Sequence, residues 1–245
     1  MHEFLLFSTM HGNKIFQQEL KISLDLEQYV TTLTLRKMWD LYQIWSVFRI
    51  TATIVDILTA AQYQVTSNSL FYEVEKDSFQ IDVRKNVPTI TLAKGDLKVE
   101  MKYEPLYPRL IGSMSGLVST DYEQLTPDMS VEIYRQGQLK NVLIFDAKYR
   151  YQTIDGSTYP KDDDLNKMRK YRDKICYRTY DPRRPKLKPQ KVVSSAYILY
   201  PGTYLEHDPE EATIGAIPLV PNMTQDNALE AREVIKNILW FVSLL

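Results

Sequence analysis

Asn141-Val142-Leu143-Ile144-Phe145-Asp146-Ala147-Lys148 runs four apolar residues into a carboxylate and, two residues on, an ammonium. A run this apolar reads as a strand buried on both faces, the position of a central strand. Residues i and i+2 of a strand share a face, so Asp146 and Lys148 point the same way and Ala147 points away. Charges at such a place are costly unless they are paired, bound to a metal or set at an open rim. A second acid, Asp128, follows Pro127 seventeen intervening residues before Asp146 and opens the strand-like segment Met129-Ser130-Val131-Glu132-Ile133-Tyr134. Two carboxylates and a lysine at one rim are what metal-assisted phosphodiester hydrolysis requires.

Rival patterns lie upstream. Asp96-Leu97-Lys98 and Glu100-Met101-Lys102 repeat the acid-x-Lys spacing, but in a segment that alternates apolar with polar. Its charges are expected on the solvent side, whereas the strand of Asp146 has no polar face on which to place its own.

The roles follow from the chemistry. Asp128 and Asp146 suit a hard divalent cation, with Mg²⁺ expected and Mn²⁺ able to substitute, and the backbone carbonyl of Ala147 is a third candidate donor. Lys148 is placed to orient water or to neutralise charge on the phosphorane. Glu132, four residues beyond Asp128 on the same strand face, is an auxiliary metal candidate or else an exposed strand glutamate. Asp164, Lys167 or Met168, and Tyr171 share one face of the next helix. Lys167 and Tyr171 are expected to reach a phosphate near the rim, the alternative being a solvated stripe with Tyr171 half in the core.

Working outward, Leu33 to Leu58 shows helical spacing in Leu41, Ile44, Trp45 and Phe48, as one helix or as two broken near Thr51-Ala52-Thr53. Strands are predicted at Glu3–Ser8, Leu70–Val74, Gln80–Val83, Thr89–Leu92 and Leu97–Tyr103. Residues 104–127, rich in Pro, Gly, Ser and Thr, read as a loop. Segments 129–135 and 141–150 form a hairpin turned at Gln136-Gly137-Gln138. A helix over Asp162–Arg178 starts on three aspartates, which suit the positive end of its dipole. Strands follow at Ala196–Tyr200 and Ile214–Leu219, and a closing amphipathic helix runs from Asn227 to Leu245. Helix, strands, helix, strand in that order predicts an α/β fold with a mixed sheet flanked by helices.

Composition sets the outer bounds. The chain of 245 residues, 44% hydrophobic and 25% charged, is long enough to bury a core. Seventeen tyrosines against eight glycines favour a fold containing β-strands. Net charge is −1, yet Lys161 to Lys191 holds twelve Lys/Arg against five Asp. That segment is a candidate nucleic-acid footprint, or a solvated helix and loop; Arg183, Arg184 and Lys186 are its candidate DNA contacts. The single cysteine, Cys176, excludes an intrachain disulfide and fits a cytoplasmic location. Three scattered histidines argue against a histidine metal site or a Ser-His-Asp triad. No signal peptide, membrane span or phosphate-binding loop is expected.

Pro127-Asp128 followed by Phe145-Asp146-Ala147-Lys148-Tyr149 resembles the PD-(D/E)xK nuclease superfamily. Three further motifs resemble its McrC-like branch, the nuclease subunits of modification-dependent restriction systems. They are Asp40-Leu41-Tyr42-Gln43-Ile44-Trp45; Asn166-Lys167-Met168-Arg169-Lys170-Tyr171-Arg172-Asp173; and Leu199-Tyr200-Pro201-Gly202 ahead of Ile214-Gly215-Ala216-Ile217-Pro218-Leu219. The resemblance covers about residues 35–245. It implies a restriction-endonuclease-like αβββαβ core with an additional N-terminal helix and antiparallel strands. Residues 1–65 then form an arm and long helical region packing on the nuclease core of 66–245, as one continuous domain. It implies Mg²⁺-dependent cleavage of DNA to 5′-phosphate products, with a separate nucleotide-hydrolysing motor subunit as partner. Cutting both strands implies two active sites, hence a homo-oligomer or larger assembly.

One departure stands out. The first-helix motif of relatives often carries an acid where this chain has Gln43, so Asp40 or Glu132 is a candidate substitute. Relatives also often carry an N-terminal region that contacts partner or DNA, and this chain has little before its first helix. That implies a module targeted by others. Two further readings are a catalytically inactive nucleic-acid-binding or assembly module of the same fold, and a structural protein whose rim is a salt bridge.

Overall fold

The computed structural model describes residues 38–69, 71–75, 78–184, 188–221 and 225–245. The expected strand Glu3–Ser8, the start of the first helix, Leu70 and Lys186 lie outside them. Helix α1 (Met38–Ala60) leads into strands β1 (Gln64–Asn68), β2 (Phe71–Glu75), β3 (Ser78–Val83), β4 (Pro88–Lys94) and β5 (Leu97–Tyr103). After β6 (Gly116–Ser119) come β7 (Met129–Arg135), β8 (Gln138–Ala147), β9 (Gln152–Ile154) and β10 (Ser157–Tyr159). Helix α2 (Asp162–Lys174) precedes β11 (Ile175–Arg178), β12 (Gln190–Lys191), β13 (Val193–Tyr200) and β14 (Ile214–Pro218), and α3 (Gln225–Phe241) closes the chain.

The main sheet has seven strands in the order β1-β4-β5-β7-β8-β13-β14. It is antiparallel from β1 to β8 and parallel from β8 through β13 to β14. The expected αβββαβ order runs α1, β5, β7, β8, α2, β13. Alternation decides what each face buries. Val131, Ile133, Leu143, Phe145, Leu199 and Ile217 face α1 and α3, while Val142, Ile144, Ile198 and Tyr200 face Met168 and Tyr171 of α2. Val142 through Phe145 are all essentially fully buried, as a two-faced strand requires. Complete burial of each such side chain stabilises by about 1.5–3 kcal/mol.

Helix α1 runs unbroken through Thr51–Thr53, because Thr51 is buried in the packed face and the Thr53 hydroxyl bonds back to the Arg49 carbonyl at 2.9 Å. It ends at Ala60 and is capped by Gln62, whose φ of 69° lets Tyr63 N–H reach the Leu58 carbonyl (2.9 Å) and Gln62 N–H that of Thr59 (2.9 Å). By length and composition α1 could cross a membrane, although it carries Asp40, Arg49 and Asp56. Here its buried residues, from Tyr42 to Leu58, belong to the core shared with the sheet and α3.

Other expectations are corrected. The second helix stops at Lys174 instead of Arg178, because Ile175–Arg178 pairs with β6 and β12. Residues 104–127 are therefore not all loop, as Gly116–Ser119 supplies that partner strand. The hairpin turn is the pair Gln136-Gly137 (φ 52° and 75°) between Arg135 and Gln138. Helix α3 stops at Phe241, with Ser243 at φ 59°. Among the described residues, strands β2 and β3 pair only with each other. Asp155-Gly156 turns a small hairpin, β9–β10, that the pattern did not announce. The polar face of β5 is half covered: Lys102 is intermediate in exposure and pairs with the buried Glu132.

Candidate active site

The register places the chemistry. Met129 pairs with Phe145 and Ala147 with Leu199, so the start of β7 and the end of β8 meet at one end of the sheet. Asp128 stands just before β7, and Lys148 just after β8 with its N–H still bonded to the Leu199 carbonyl at 2.8 Å. Asp146 is wholly buried and follows Val142 and Ile144 on the face toward α2. From α2, Lys167 brings Nζ to 3.3 Å from Asp146 Oδ2 and 3.4 Å from Oδ1. The Lys148 ammonium reaches back to Asp146 Oδ2, and it also lies 3.2 Å from the Ala147 carbonyl. The shared orientation of positions 146 and 148 thus becomes an ion pair.

Asp128 joins the group through the main chain: its Oδ2 accepts the Ala147 N–H at 2.7 Å. Burial, and then the charge of Asp146, push the Asp128 carboxyl up to about 7, against the opposing pull of Lys148, the Ala147 N–H and Lys167. Burial alone would lower Lys148, but Asp146 and Asp128 outweigh it, and the net effect holds the amine above its ordinary value. Lys148 is therefore an ammonium at neutral pH. It can donate hydrogen bonds and neutralise charge, but it cannot serve as a resting general base.

Tyr171 is not exposed at the rim, although its hydroxyl, raised chiefly by burial, lies near enough to Asp146 and Asp128 for their charges to raise it further. It is buried, and its hydroxyl donates to the Thr126 carbonyl at 3.1 Å, two residues before Asp128. It anchors the segment that delivers Asp128, while Lys167 Nζ sits 5.2 Å from its ring centroid. Glu132 is not at the rim either. It pairs with Val142, four residues from Asp146 along β8. It is 1% exposed and accepts from Lys102 Nζ (2.8 Å) and the Tyr134 hydroxyl (2.6 Å). Arg183 and Arg184 lie on a turn led by Asp181, whose carboxylate takes the Arg183 N–H at 2.9 Å. No described contact joins them to the acidic pair.

Two partnerships escaped sequence reasoning. Arg150, two residues beyond Lys148, forks onto the buried Asp164 in the first turn of α2, with Nε 2.9 Å from Oδ2. Its signal was the row Asp146, Lys148, Arg150, read one step further. Gln43 of α1 donates to the Glu104 carboxylate at 3.1 Å, and the Glu104 N–H donates to the Asp128 carbonyl at 2.9 Å. The position that departs from the family motif is thus tied to the neighbour of Asp128.

The donor set suits a hard cation in kind. Among the described residues no group of three or more His, Cys, Asp or Glu gathers for a metal, so the acids at this rim are a pair. Two carboxylates and one carbonyl fit Mg²⁺, which keeps several waters and is held by one or two carboxylates plus phosphate oxygens.

A family model described as the PD-(D/E)XK nuclease superfamily matches residues 40–205, a span that includes every residue of this cluster. No curated protein and no solved structure matches the chain.

Proposed function

The chain belongs to the PD-(D/E)XK nuclease superfamily, and from that premise we propose that it is a divalent-cation-dependent DNA endonuclease, the cleavage subunit of a modification-dependent or related restriction or defence system. The observation that carries the reading is the buried Asp146, held between Lys148 and Lys167 beside Asp128 at one end of the sheet. Support for the McrC-like branch comes from the places its motifs occupy. Asp40–Trp45 lies in α1, Asn166–Asp173 in α2, and Leu199–Gly202 at the end of β13, beside the strand of Ile214–Pro218.

In this reading Asp128, Asp146 and the Ala147 carbonyl hold Mg²⁺, or Mn²⁺ in its place. A bound divalent cation supplies polarisation of the scissile phosphate and a lower pKa for the attacking water. Lys148 is placed to donate to that water or to the phosphate oxygen on which charge accumulates. Asp128 enters the reaction as a carboxylate, so its proton must leave before the cation is held. Arg150 and Asp164 hold the exit of β8 against α2, which fixes the separation of Lys148 and Lys167. The lack of a phosphate-binding loop motif supports the proposal of a separate motor subunit.

The test is incubation of the purified protein with supercoiled plasmid in Mg²⁺, in Mn²⁺ or in EDTA, beside Lys148→Ala and Asp146→Asn. Cation-dependent nicking lost in both variants is expected. Nicking retained by both sinks the reading. Gln43 favours the second reading, an inactive DNA-binding or assembly module, because it puts an amide where relatives often carry an acid. Salt-sensitive DNA binding without nicking, with the motor protein present, is its signature.

A further inference from the structure

Both oxygens of Asp146 are held by lysines. Lys148 bonds Oδ2, while Lys167 approaches both, and Oδ1 has no other partner among the described residues. The two ammonium groups are not equivalent. Lys148 springs from the end of the strand that carries Asp146; its side chain is 18% exposed, and its second hydrogen bond goes to the Ala147 carbonyl. Lys167 reaches in from α2 on a side chain 41% exposed, and its contacts of 3.3 and 3.4 Å are long for a charged pair. The ring it lies over, Tyr171, is fixed by the Thr126 carbonyl and cannot move with it. Of the two, Lys167 is the one free to leave.

We infer that Lys167 exchanges partners, from Asp146 in the free protein to a backbone phosphate in the DNA complex, and that this exchange opens Asp146 Oδ1 to the divalent cation, so that DNA and cation bind with positive coupling. The inference rests on the nuclease reading above and adds a regulation to the same site. Two carboxyl groups face two ammonium groups in the free cluster. A divalent cation entering with both ammonium groups in place adds two positive charges to a buried site whose carboxylate charge those groups already match or exceed, and like charges repel strongly where solvent is scarce. A phosphate drawing Lys167 outward removes one ammonium from the carboxylate and adds negative charge at the rim. The arrangement therefore disfavours cation binding until DNA is present. Coupling is reciprocal, so the cation must tighten DNA binding by the same factor.

The experiment measures Mn²⁺ binding by the loss of free-Mn²⁺ electron paramagnetic resonance signal in wild type, Lys167→Met and Lys167→Met/Asp146→Asn, all without DNA. In parallel, the anisotropy of a fluorescent duplex is titrated with wild type and Lys167→Met in EDTA and in Mn²⁺. Lys167→Met is expected to bind Mn²⁺ at least about tenfold more tightly than wild type without DNA, because the competing charge is gone, and the double variant to lose the gain. Mn²⁺ is expected to tighten DNA binding by wild type more than by Lys167→Met. Equal or weaker Mn²⁺ binding by Lys167→Met, including no Asp146-dependent binding at all, overturns the inference. Plasmid nicking, scored separately, distinguishes the two failures. A chain that nicks plasmid but shows no gain in Lys167→Met keeps the nuclease reading and loses the exchange. One that shows the gain but never nicks keeps the exchange and loses the reading.

Discussion

Asp128 Oδ2 accepts the backbone N–H of Ala147 at 2.7 Å, so the residue between Asp146 and Lys148 positions the other acid of the cluster. One hydrogen bond thereby ties the start of β7 to the end of β8 and confines two carboxyl groups together. Confinement and burial hold the Asp128 proton to about pH 7, above the ordinary carboxyl value of 3.8.

That displacement makes stability fall as pH rises. Below pH 3.8 Asp128 is protonated in both folded and unfolded chains and contributes nothing. Between 3.8 and about 7 the unfolded chain releases the proton and the folded one keeps it, so unfolding gains with every step upward. Asp128→Asn keeps an acceptor for Ala147 N–H and removes the titration. In EDTA, the variant's Tm relative to wild type is therefore expected to rise steadily from pH 4 to pH 7 and then level off. A difference that stays constant with pH contradicts the assignment.

Much of this site was legible because strand alternation is a rigid rule. Once Val142–Phe145 was read as buried on both faces, Asp146 and Lys148 had to share a side, and they do. The helix carrying Lys167 and Tyr171 was legible from its acidic first turn and its spacing. What each side chain would touch was not. Tyr171 and Lys167 are four residues apart on one face, yet one hydroxyl turns to Thr126 and one ammonium to Asp146. Glu132 shares a face with Asp128, but four residues of strand already put it about 13 Å away; its pairing with Lys102 depends on the register of β5 against β7, which no local pattern carries. The end of α2 lies beyond local pattern for a related reason. Ile175–Arg178 can continue a helix locally, and only the distant Gly116–Ser119 makes it a strand.

Arg150 and Asp164 are expected to respond unequally to truncation. Asp164 is 2% exposed at its side chain and Arg150 49%. Arg150→Ala leaves a buried carboxylate without its fork and is expected to cost about 3 kcal/mol, whereas Asp164→Ala releases an arginine into water and costs about 1 kcal/mol. Urea unfolding of both variants measures the difference. Equal losses would mean that the pair behaves as an ordinary surface contact.

Gly215 is required by a close approach. A Cβ there would stand 2.1 Å from the Glu206 carbonyl oxygen and 2.5 Å from the Tyr197 ring. Glu206 cannot yield freely, because it bridges Ala216 through hydrogen bonds of 3.0 and 2.8 Å. Gly215→Ala is expected to destabilise the fold by about 2 kcal/mol, lowering Tm by about 4–8 °C. A thermal melt unchanged within a degree would show that the β14 edge can shift.

Tyr171 offers the sharpest separation of scaffold from chemistry. Its hydroxyl donates to the Thr126 carbonyl at 3.1 Å and touches neither carboxylate of the cluster, although the ring packs fully in the core of α2 and the sheet. Tyr171→Phe preserves that packing and removes one hydrogen bond to a carbonyl two residues before Asp128. The stability loss is expected to be about 1 kcal/mol, the ordinary net value of such a bond. The effect on nicking is expected to be larger in proportion, because small misplacements of a reacting group are costly. Raising Mg²⁺ is expected to recover part of the lost rate, since a cation held by both carboxylates draws Asp128 back toward Asp146. Nicking that falls only as far as the folded fraction falls, with no response to Mg²⁺, would assign Tyr171 to the core alone.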